Sequence, residues 1–410
     1  MRTESTETSP TTSDSGRLSP LIVLRNQRKV NAPQARRIQV KKLLPELRKR
    51  KTIVEAGTPW YRRFFYRLRN DSQFLRSTVQ AAFVLLCVWI GIEFALFVQW
   101  GVSGGQSTFV PRPPGAEGFL PISSLMGLVY WFRTGIINDV HPAGFFIFIA
   151  IALVSLLSKK AFCSWMCPVG TLSESLHLLG KRLFGRNFQL PRWCDYPLRS
   201  LKYLLLAFFT FSILQLDVPS LSAFIYSPYN KMADIKMYLF FANISTFALW
   251  TIIALMALSI LVKNFWCRYL CPYGALLGAL SWFSPLKITR NKTTCIDCEL
   301  CTKACPANIL IHKKGRIVSD ECTNCLACVA ACPVKETLEV RPSTEGRRVP
   351  EWVVGAFIVG LFVAVTGLGI LMGRWKNEMR KEEYLMRFQR LDSPLYQHNH
   401  GQVPQYGPND

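Results

Sequence analysis

The chain has 410 residues, a formal net charge of +23 and 14 cysteines, and half of it is hydrophobic. A mean hydropathy of +0.18 beside 49 Lys and Arg requires apolar and basic residues to be segregated along the chain, the pattern of a multi-spanning membrane protein. Size and cysteine clustering exclude a secreted disulfide scaffold. The membrane pattern also accounts for a charge that would otherwise suggest nucleic-acid binding, so no nucleic-acid partner is expected.

Residues 1–20 are rich in Ser and Thr and read as disordered. No short apolar run follows them, so no signal peptide is expected. From Arg25 to Arg76 the chain is basic, with Arg36-Arg37, Lys41-Lys42 and Arg48 to Lys51. Trp60, Tyr61, Phe64, Phe65 and Tyr66 are interleaved with this charge. Segment 1–76 is thus a disordered and basic arm whose aromatic part lies at a lipid interface.

Five apolar stretches follow, at about 79–100, 142–158, 201–218, 240–262 and 352–372. Each approaches the ~20 residues of a spanning helix. A sixth, Phe119 to Phe132, contains Pro121 and reads as interfacial or re-entrant. Lys and Arg number 18 in segment 1–76, 7 in 159–200 and 13 in 263–350. Segment 101–141 has only Arg112 and Arg133, and 219–239 only Lys231 and Lys236. The three basic segments are therefore expected in the cytoplasm. Glu93 lies in the outer half of the first stretch, where a carboxylate either reaches the interface or serves as a proton relay or quinol contact.

After the second stretch comes Phe162-Cys163-Ser164-Trp165-Met166-Cys167-Pro168-Val169-Gly170, echoed after the fourth by Trp266-Cys267-Arg268-Tyr269-Leu270-Cys271-Pro272-Tyr273-Gly274. This is an internal repeat of an inward helix, C-x3-C-P and an amphipathic segment. The spacing puts two thiols one helical turn apart. The proline favours a new helix capped by Cys167 or Cys271, which would lower the thiol pKa. Cys163, Cys167, Cys267 and Cys271 are thus candidates for a third metal centre or a redox thiol site; buried cysteines beside a Pro-Gly turn are the bland alternative.

Next comes Cys295-x2-Cys298-x2-Cys301-x3-Cys305-Pro306, then Cys322-x2-Cys325-x2-Cys328-x3-Cys332-Pro333. Each is the bacterial ferredoxin run for a four-iron cluster, and the fourth cysteine serves the neighbouring cluster. Cys295, Cys298, Cys301 and Cys332 are expected on cluster one, and Cys322, Cys325, Cys328 and Cys305 on cluster two. Zinc is the weaker reading, because both runs are complete and closed by Pro. The β-prone stretch Ile309-Leu310-Ile311 and the turn at Gly315 between the runs suit a strand in the small pseudo-twofold fold that such clusters share. Eight thiolates need a reducing compartment, in agreement with the cytoplasmic side. His141 before Pro142 reads as an interfacial helix cap, and His177 as a surface residue. Cys87 and Cys194 are expected to pack. No dinucleotide, phosphate or Ser/His/Asp motif is present, so the chain shows no substrate site of its own.

The fold expected is a mostly α membrane protein of about five spans, with a small α+β ferredoxin domain of two [4Fe–4S] clusters. Its parts are an arm at 1–76, a four-helix membrane domain at 77–290, the ferredoxin domain at 291–340, a fifth helix at 351–373 and a polar tail at 374–410. The duplicated C-x3-C-P motif followed by the ferredoxin run resembles the polyferredoxin family of membrane proteins that includes NapH, NosR and YccM, over about residues 75–340. The resemblance implies electron transfer between a cytoplasmic donor or the quinone pool and a periplasmic partner, across a bacterial inner membrane. It carries the eight ferredoxin cysteines over as cluster ligands and the other four as the paired membrane motifs. The short arm leaves no room for the flavin domain of NosR-like members, and the tail none for the immunoglobulin-like domain of CcoG. The likeness is thus nearest to the YccM-type group, with a flavoprotein or cytochrome supplied in trans. The rival function is a metal-handling or redox assembly factor for a respiratory complex; a membrane-tethered oxygen sensor ranks last.

Overall fold

The computed structural model describes residues 59–185, 188, 190–334, 336–397 and 405–407. The expected disorder of residues 1–20, the basic segment 25–58, and His398 and His400 lie outside the described residues. Helix α1, Trp60–Asn70, carries exposed Trp60, Phe65 and Tyr66 among its arginines, as an interfacial segment should. Asp71 then caps α2, Ser72–Val102, by accepting from the Gln73 and Phe74 amides at 3.0 and 3.2 Å.

The helices run between two ends of the protein. At one, Gln73 of α2 donates to the Cys325 carbonyl at 3.0 Å. At the other, Phe388 lies where a side chain on Gly101 would have to go, 2.1 Å from a Cβ at that position. So α2 joins the ferredoxin end to the opposite end. The short helix α3, Pro121–Thr134, lies at that opposite end, where Asn138 and Asp139 precede α4, Pro142–Ser158. Ser158 closes α4 against Asn324 of the second ferredoxin run, at 3.0 Å.

Beyond α4 lie α5, Ala161–Trp165, and α6, Pro168–Phe184. Helix α7, Arg192–Gln215, begins beside the ferredoxin lobe and ends where Arg133 bonds the Leu216 carbonyl. Short helices α8, Val218–Ile225, and α9, Pro228–Lys231, turn the chain. It returns through α10, Ala233–Ala242, and α11, Thr246–Leu261. The second motif leads into α12, Pro272–Leu280. Within the ferredoxin lobe come α13, Leu300–Ala304, and α14, Ala327–Ala331. Helix α15, Glu351–Leu371, leaves the lobe for the opposite end. There α16, Lys381–Gln389, packs on the end of α2 through Phe97, Trp100, Tyr384 and Phe388.

Of the five spans predicted, length and composition support three or four among the described residues. Three helices are long and apolar enough to cross a membrane: α2, α7 and α15. A fourth crossing arises if α10 and α11 form one broken span, because they meet at 84°. Helix α4 is apolar but has only 17 residues, about 25 Å of helix against a hydrocarbon core of about 30 Å. Phe119–Phe132 begins at the last residue of the 3-10 turn Pro114–Phe119 and continues into α3, too short to span. Exposed Leu85, Trp89, Leu204, Phe208, Phe247, Trp250 and Val363 form apolar faces that suit lipid.

The tail carries six basic residues yet sits at the end opposite the ferredoxin lobe. Its charge is answered locally: Arg374 pairs with Asp139, and Arg387 with Glu383 at 2.8 Å. Lys381 lies 4.6 Å from the Phe109 ring centroid.

Helices α6 and α11 touch backbone to side at Gly180, where a Cβ would stand 1.9 Å from the Ile260 carbonyl oxygen. Alanine at an open helix site stabilises by about 0.5–1 kcal/mol relative to glycine. Here the clash reverses the sign, and Gly180→Ala is expected to destabilise by about 1–3 kcal/mol, as overpacking does. Thermal unfolding in detergent, with Gly91→Ala as the open-site control, reads the difference.

Candidate metal centre

The two ferredoxin runs fold as near copies. Leu300–Ala304 carries the third cysteine of one, Cys301, and Ala327–Ala331 that of the other, Cys328, and Cys305 and Cys332 end these helices with matching extended conformations. Asp297 and Glu299 have φ of 51° and 62°; at the same offsets in the second run, Asn324 and Leu326 have 48° and 59°. Left-handed conformations at four non-glycine residues cost roughly 1–3 kcal/mol each. They recur here because each loop has to wrap around a centre. The framing strands are β1, Lys287–Arg290, and β2, Leu338–Arg341, paired antiparallel with Ile288 opposite Val340. The strand predicted at Ile309–Ile311 is absent. Ile309 and Ile311 are buried among the cysteines instead, and the chain enters a 3-10 turn at Ile311–Lys313.

Two hollows result, with empty volumes of about 340 and 330 Å³. The first is lined by Cys295, Cys298, Cys301 and Cys332, and the second by Cys305, Cys322, Cys325 and Cys328. The fourth cysteine of each run thus faces the other run's hollow. Backbone amides also aim at the sulfurs: Leu300 at Cys298, Asn324 at Cys322, and Ala307 and Ile309 at Cys305. The donor set fits a four-iron cluster, with four thiolates and backbone N–H bonds to sulfur. Among the described residues no three His, Cys, Asp or Glu side chains gather tightly enough for a single metal ion. Thiols around a cubane stand further apart than those around one zinc.

The membrane-motif cysteines also come together. Cys167 and Cys271 cap α6 and α12, their sulfurs accepting from the Gly170 and Gly274 amides at 3.4 and 3.3 Å. Cys163 lies in α5 and Cys267 in the π-helical turn Trp266–Leu270. All four thiols are within electrostatic reach of one another, with Tyr273 beside them. The capping amides do not produce the lowered pKa expected from sequence. Burial pushes Cys163 up to about 11 and Cys267 to about 12, while the amide at Cys167 only offsets part of the rise. Protein N–H groups alone do not keep these thiolates charged; a bound cation would.

Several functional side chains are invisible to motif reading. Lys159, Lys160 and Lys202 are buried at the seam between the ferredoxin lobe and the quartet of motif thiols. Lys159 Nζ donates to the Ser281 and Val318 carbonyls at 3.1 and 3.0 Å, and burial pulls it down to about 8. Lys160 lies 3.6 Å from Glu321, and Lys202 bonds the same carboxylate. Arg76 makes a two-pronged pair with Glu174, both bonds 2.6 Å, beneath the first motif. His177, expected on the surface, is buried against Asn264 at 3.1 Å. Cys87 and Cys194 are half-buried and join neither metal group. Glu93 is half-buried on α2, far along the helix from Gln73 and the ferredoxin contact.

His141, expected as an interfacial cap, is buried in an ionic group at the opposite end. Arg112 donates to Asp234 at 2.5 Å, to Glu117 at 2.8 Å and to Nδ1 of His141 at 3.3 Å. Nε2 of His141 donates to the Asn230 carbonyl at 2.7 Å, and Glu117 accepts from the Gly144 amide at 2.9 Å.

A family model described as a 4Fe-4S binding domain matches residues 140–187 and 243–291, and one described as a 4Fe-4S dicluster domain matches 287–333. YccM of Escherichia coli (strain K12), whose name describes an electron transport protein, is 41% identical over 77% of this chain and 90% of its own length. The regulatory protein NosR of Pseudomonas aeruginosa is 31% identical over 42% of this chain, but over only 23% of its own. The methylamine utilization ferredoxin-type protein MauN of Paracoccus denitrificans is 29% identical over 37% of this chain and 50% of its own. No solved structure matches.

Proposed function

The chain belongs to the NapH/NosR/YccM-type family of 4Fe–4S membrane proteins, and from that premise we propose that it conducts electrons through three metal centres in line. It is a membrane iron–sulfur electron-transfer protein; the order and number of its centres are our reading. Cluster one takes Cys295, Cys298, Cys301 and Cys332, and cluster two Cys322, Cys325, Cys328 and Cys305. The third centre takes Cys163, Cys167, Cys267 and Cys271. At each, the thiolates would hold the iron, and the cluster would supply one-electron chemistry.

The observation that carries this reading is the seam itself. The Lys160 amide donates to the Cys322 carbonyl at 3.4 Å, Ser164 Oγ to Thr323 at 2.7 Å, and the Trp165 indole to Asn324 at 3.1 Å. Every residue of the loop Cys322–Cys325 thus rests on the membrane domain, the Cys325 carbonyl on Gln73, beside the first C-x3-C-P motif. Cluster one opens outward, past exposed Asp297.

We place the ferredoxin lobe in the cytoplasm of a bacterial inner membrane, exchanging electrons with a soluble donor or quinol, and the tail on the periplasmic side with the redox partner. The placement rests on α2, α7 and α15, with the bent pair α10 and α11 as a fourth crossing and the short apolar α4 as a fifth in our reading, each joining the ferredoxin end to the opposite end. The two matches of one family model around the two motifs support descent from a repeated unit.

Iron and acid-labile sulfide on anaerobically purified protein test the reading. Wild type is expected to hold about twelve irons, and a variant with Cys163, Cys167, Cys267 and Cys271 changed to Ser about eight. About eight in both would remove the third centre and favour the assembly-factor function, with the four thiols as its working groups.

A further inference from the structure

At the seam between the ferredoxin lobe and the motif thiols, charged side chains are buried in unusual number. Lys160 and Lys202 are almost wholly removed from solvent, and so is the one carboxylate they share, Glu321. That carboxylate immediately precedes Cys322, a thiol lining the second hollow. On the other side, Lys160 lies within electrostatic reach of Cys163 and Cys267, and Lys202 of Cys163 and Cys271. Tyr203, next to Lys202, bonds Asp320, the residue before Glu321. The charges are thus fixed by both halves of the protein where the second ferredoxin run meets the motif thiols.

Lys160 and Lys202 around Glu321, with Lys159 and Asp320 adding one charge of each sign beside them, leave a local excess of positive charge. Desolvating ions costs several kcal/mol apiece and is a poor way to gain stability. The expense is understandable if something negative belongs on each side. A [4Fe–4S] cube with four thiolates carries two negative charges when oxidised and three when reduced. Adding an electron to one of two such facing groups is opposed by the charge of both, and the opposition is strong where water is excluded. Positive charge lodged between them lowers that opposition, and net charge near a cluster is one of the terms that set its potential.

We propose that Lys160 and Lys202, held by Glu321, set the reduction potentials of the two metal centres that face each other across the seam, so that an electron passes between cluster two and the membrane thiols. Neither lysine is a ligand and neither touches a reacting atom; both act through their charge. Glu321 has the opposite action and holds the lysines in place. Cluster one lies outside their influence, since its hollow is lined by Arg290, Asp297, Glu299 and His312 instead. This rests on the three-centre reading for the membrane side, and on cluster two alone for the ferredoxin side.

The test is an EPR-monitored redox titration of the full-length protein in detergent, with iron counted on each sample. Lys160→Gln and Lys202→Gln are expected to shift cluster two and the membrane centre to lower potential. Glu321→Gln should shift both upward, and Lys160→Arg should leave them close to wild type. Cluster one should not move in any variant. The opposite signs separate a charge effect from damage, because a misfolded lobe does not raise one potential and lower another. Unmoved potentials at full iron content, or an equal shift of every cluster, would overturn the proposal. A wild type with about eight irons would remove the membrane centre instead, and the opposite shifts of cluster two would then still support the lysine assignment.

Discussion

Changing Cys332 to Ala is expected to abolish the EPR signal that Cys298→Ala abolishes, although Cys332 belongs to the other run. Cys305→Ala should match Cys325→Ala in the same way. Each variant should lose about four irons. The reason is geometric: the helices Leu300–Ala304 and Ala327–Ala331 each end at a cysteine in extended conformation, which turns that cysteine away from its own loop. Cys332 then lines the hollow of Cys295, Cys298 and Cys301, and Cys305 that of Cys322, Cys325 and Cys328. If Cys332→Ala and Cys325→Ala removed the same signal, the crossed arrangement would be wrong, and each run would hold its own cluster.

The thiols were legible because their positions relative to one another are set by short stretches of chain. Two residues between cysteines leave few ways to arrange a loop, and a following proline fixes where the next turn begins. The charges were not legible, and the reason is separation. Lys160 and Glu321 are far apart in sequence, so nothing local signals their pairing. Lys159-Lys160 after an apolar run reads as a marker of the cytoplasmic interface, whereas both side chains are buried under the ferredoxin lobe. Arg112 was counted the same way and lies in the protein interior.

Span number was only partly legible for a related reason. A hydropathy window over 240–262 cannot see that the chain bends by 84° near Asn243 to Ser245. It also runs past Leu261, where α11 ends. The thiol acidity expected from the helix caps was half right: the caps and their N–H bonds form as the proline predicts, but burial outweighs them. Sequence gives the position of a cap, not its distance from water.

Arg112→Leu is expected to cost about 3–5 kcal/mol of stability, since it strands buried carboxylates without a partner. Among the described residues Arg112 is the only cation bonded to both Glu117 and Asp234, neither of which has any solvent exposure. The remaining acceptor positions are met by the Gly144 and Ile235 amides at the starts of α4 and α10, whose positive ends favour carboxylates. The group therefore ties the first apolar loop to the helix starts at the end opposite the ferredoxin lobe. Replacing the carboxylates as well, in Arg112→Leu with Glu117→Gln and Asp234→Asn, should recover most of the loss, because no charge is then buried alone. Burial by itself would raise the Glu117 pKa, but the Arg112 guanidinium and the Gly144 amide hold it below its ordinary 4.5. Its contribution is therefore complete above that value and is lost as pH falls through the lower folded pKa. Thermal unfolding in detergent at neutral pH and near pH 4 reads both effects. Iron content at low temperature should stay at the wild-type level in every one of these variants, since the ionic group stands at the far end of α4 from the seam. If the single and triple variants were equally unstable, the loss would come from packing around Arg112, and the ionic account would fail. If they were stable but moved the cluster potentials, the group would belong to the electron path and not to the scaffold.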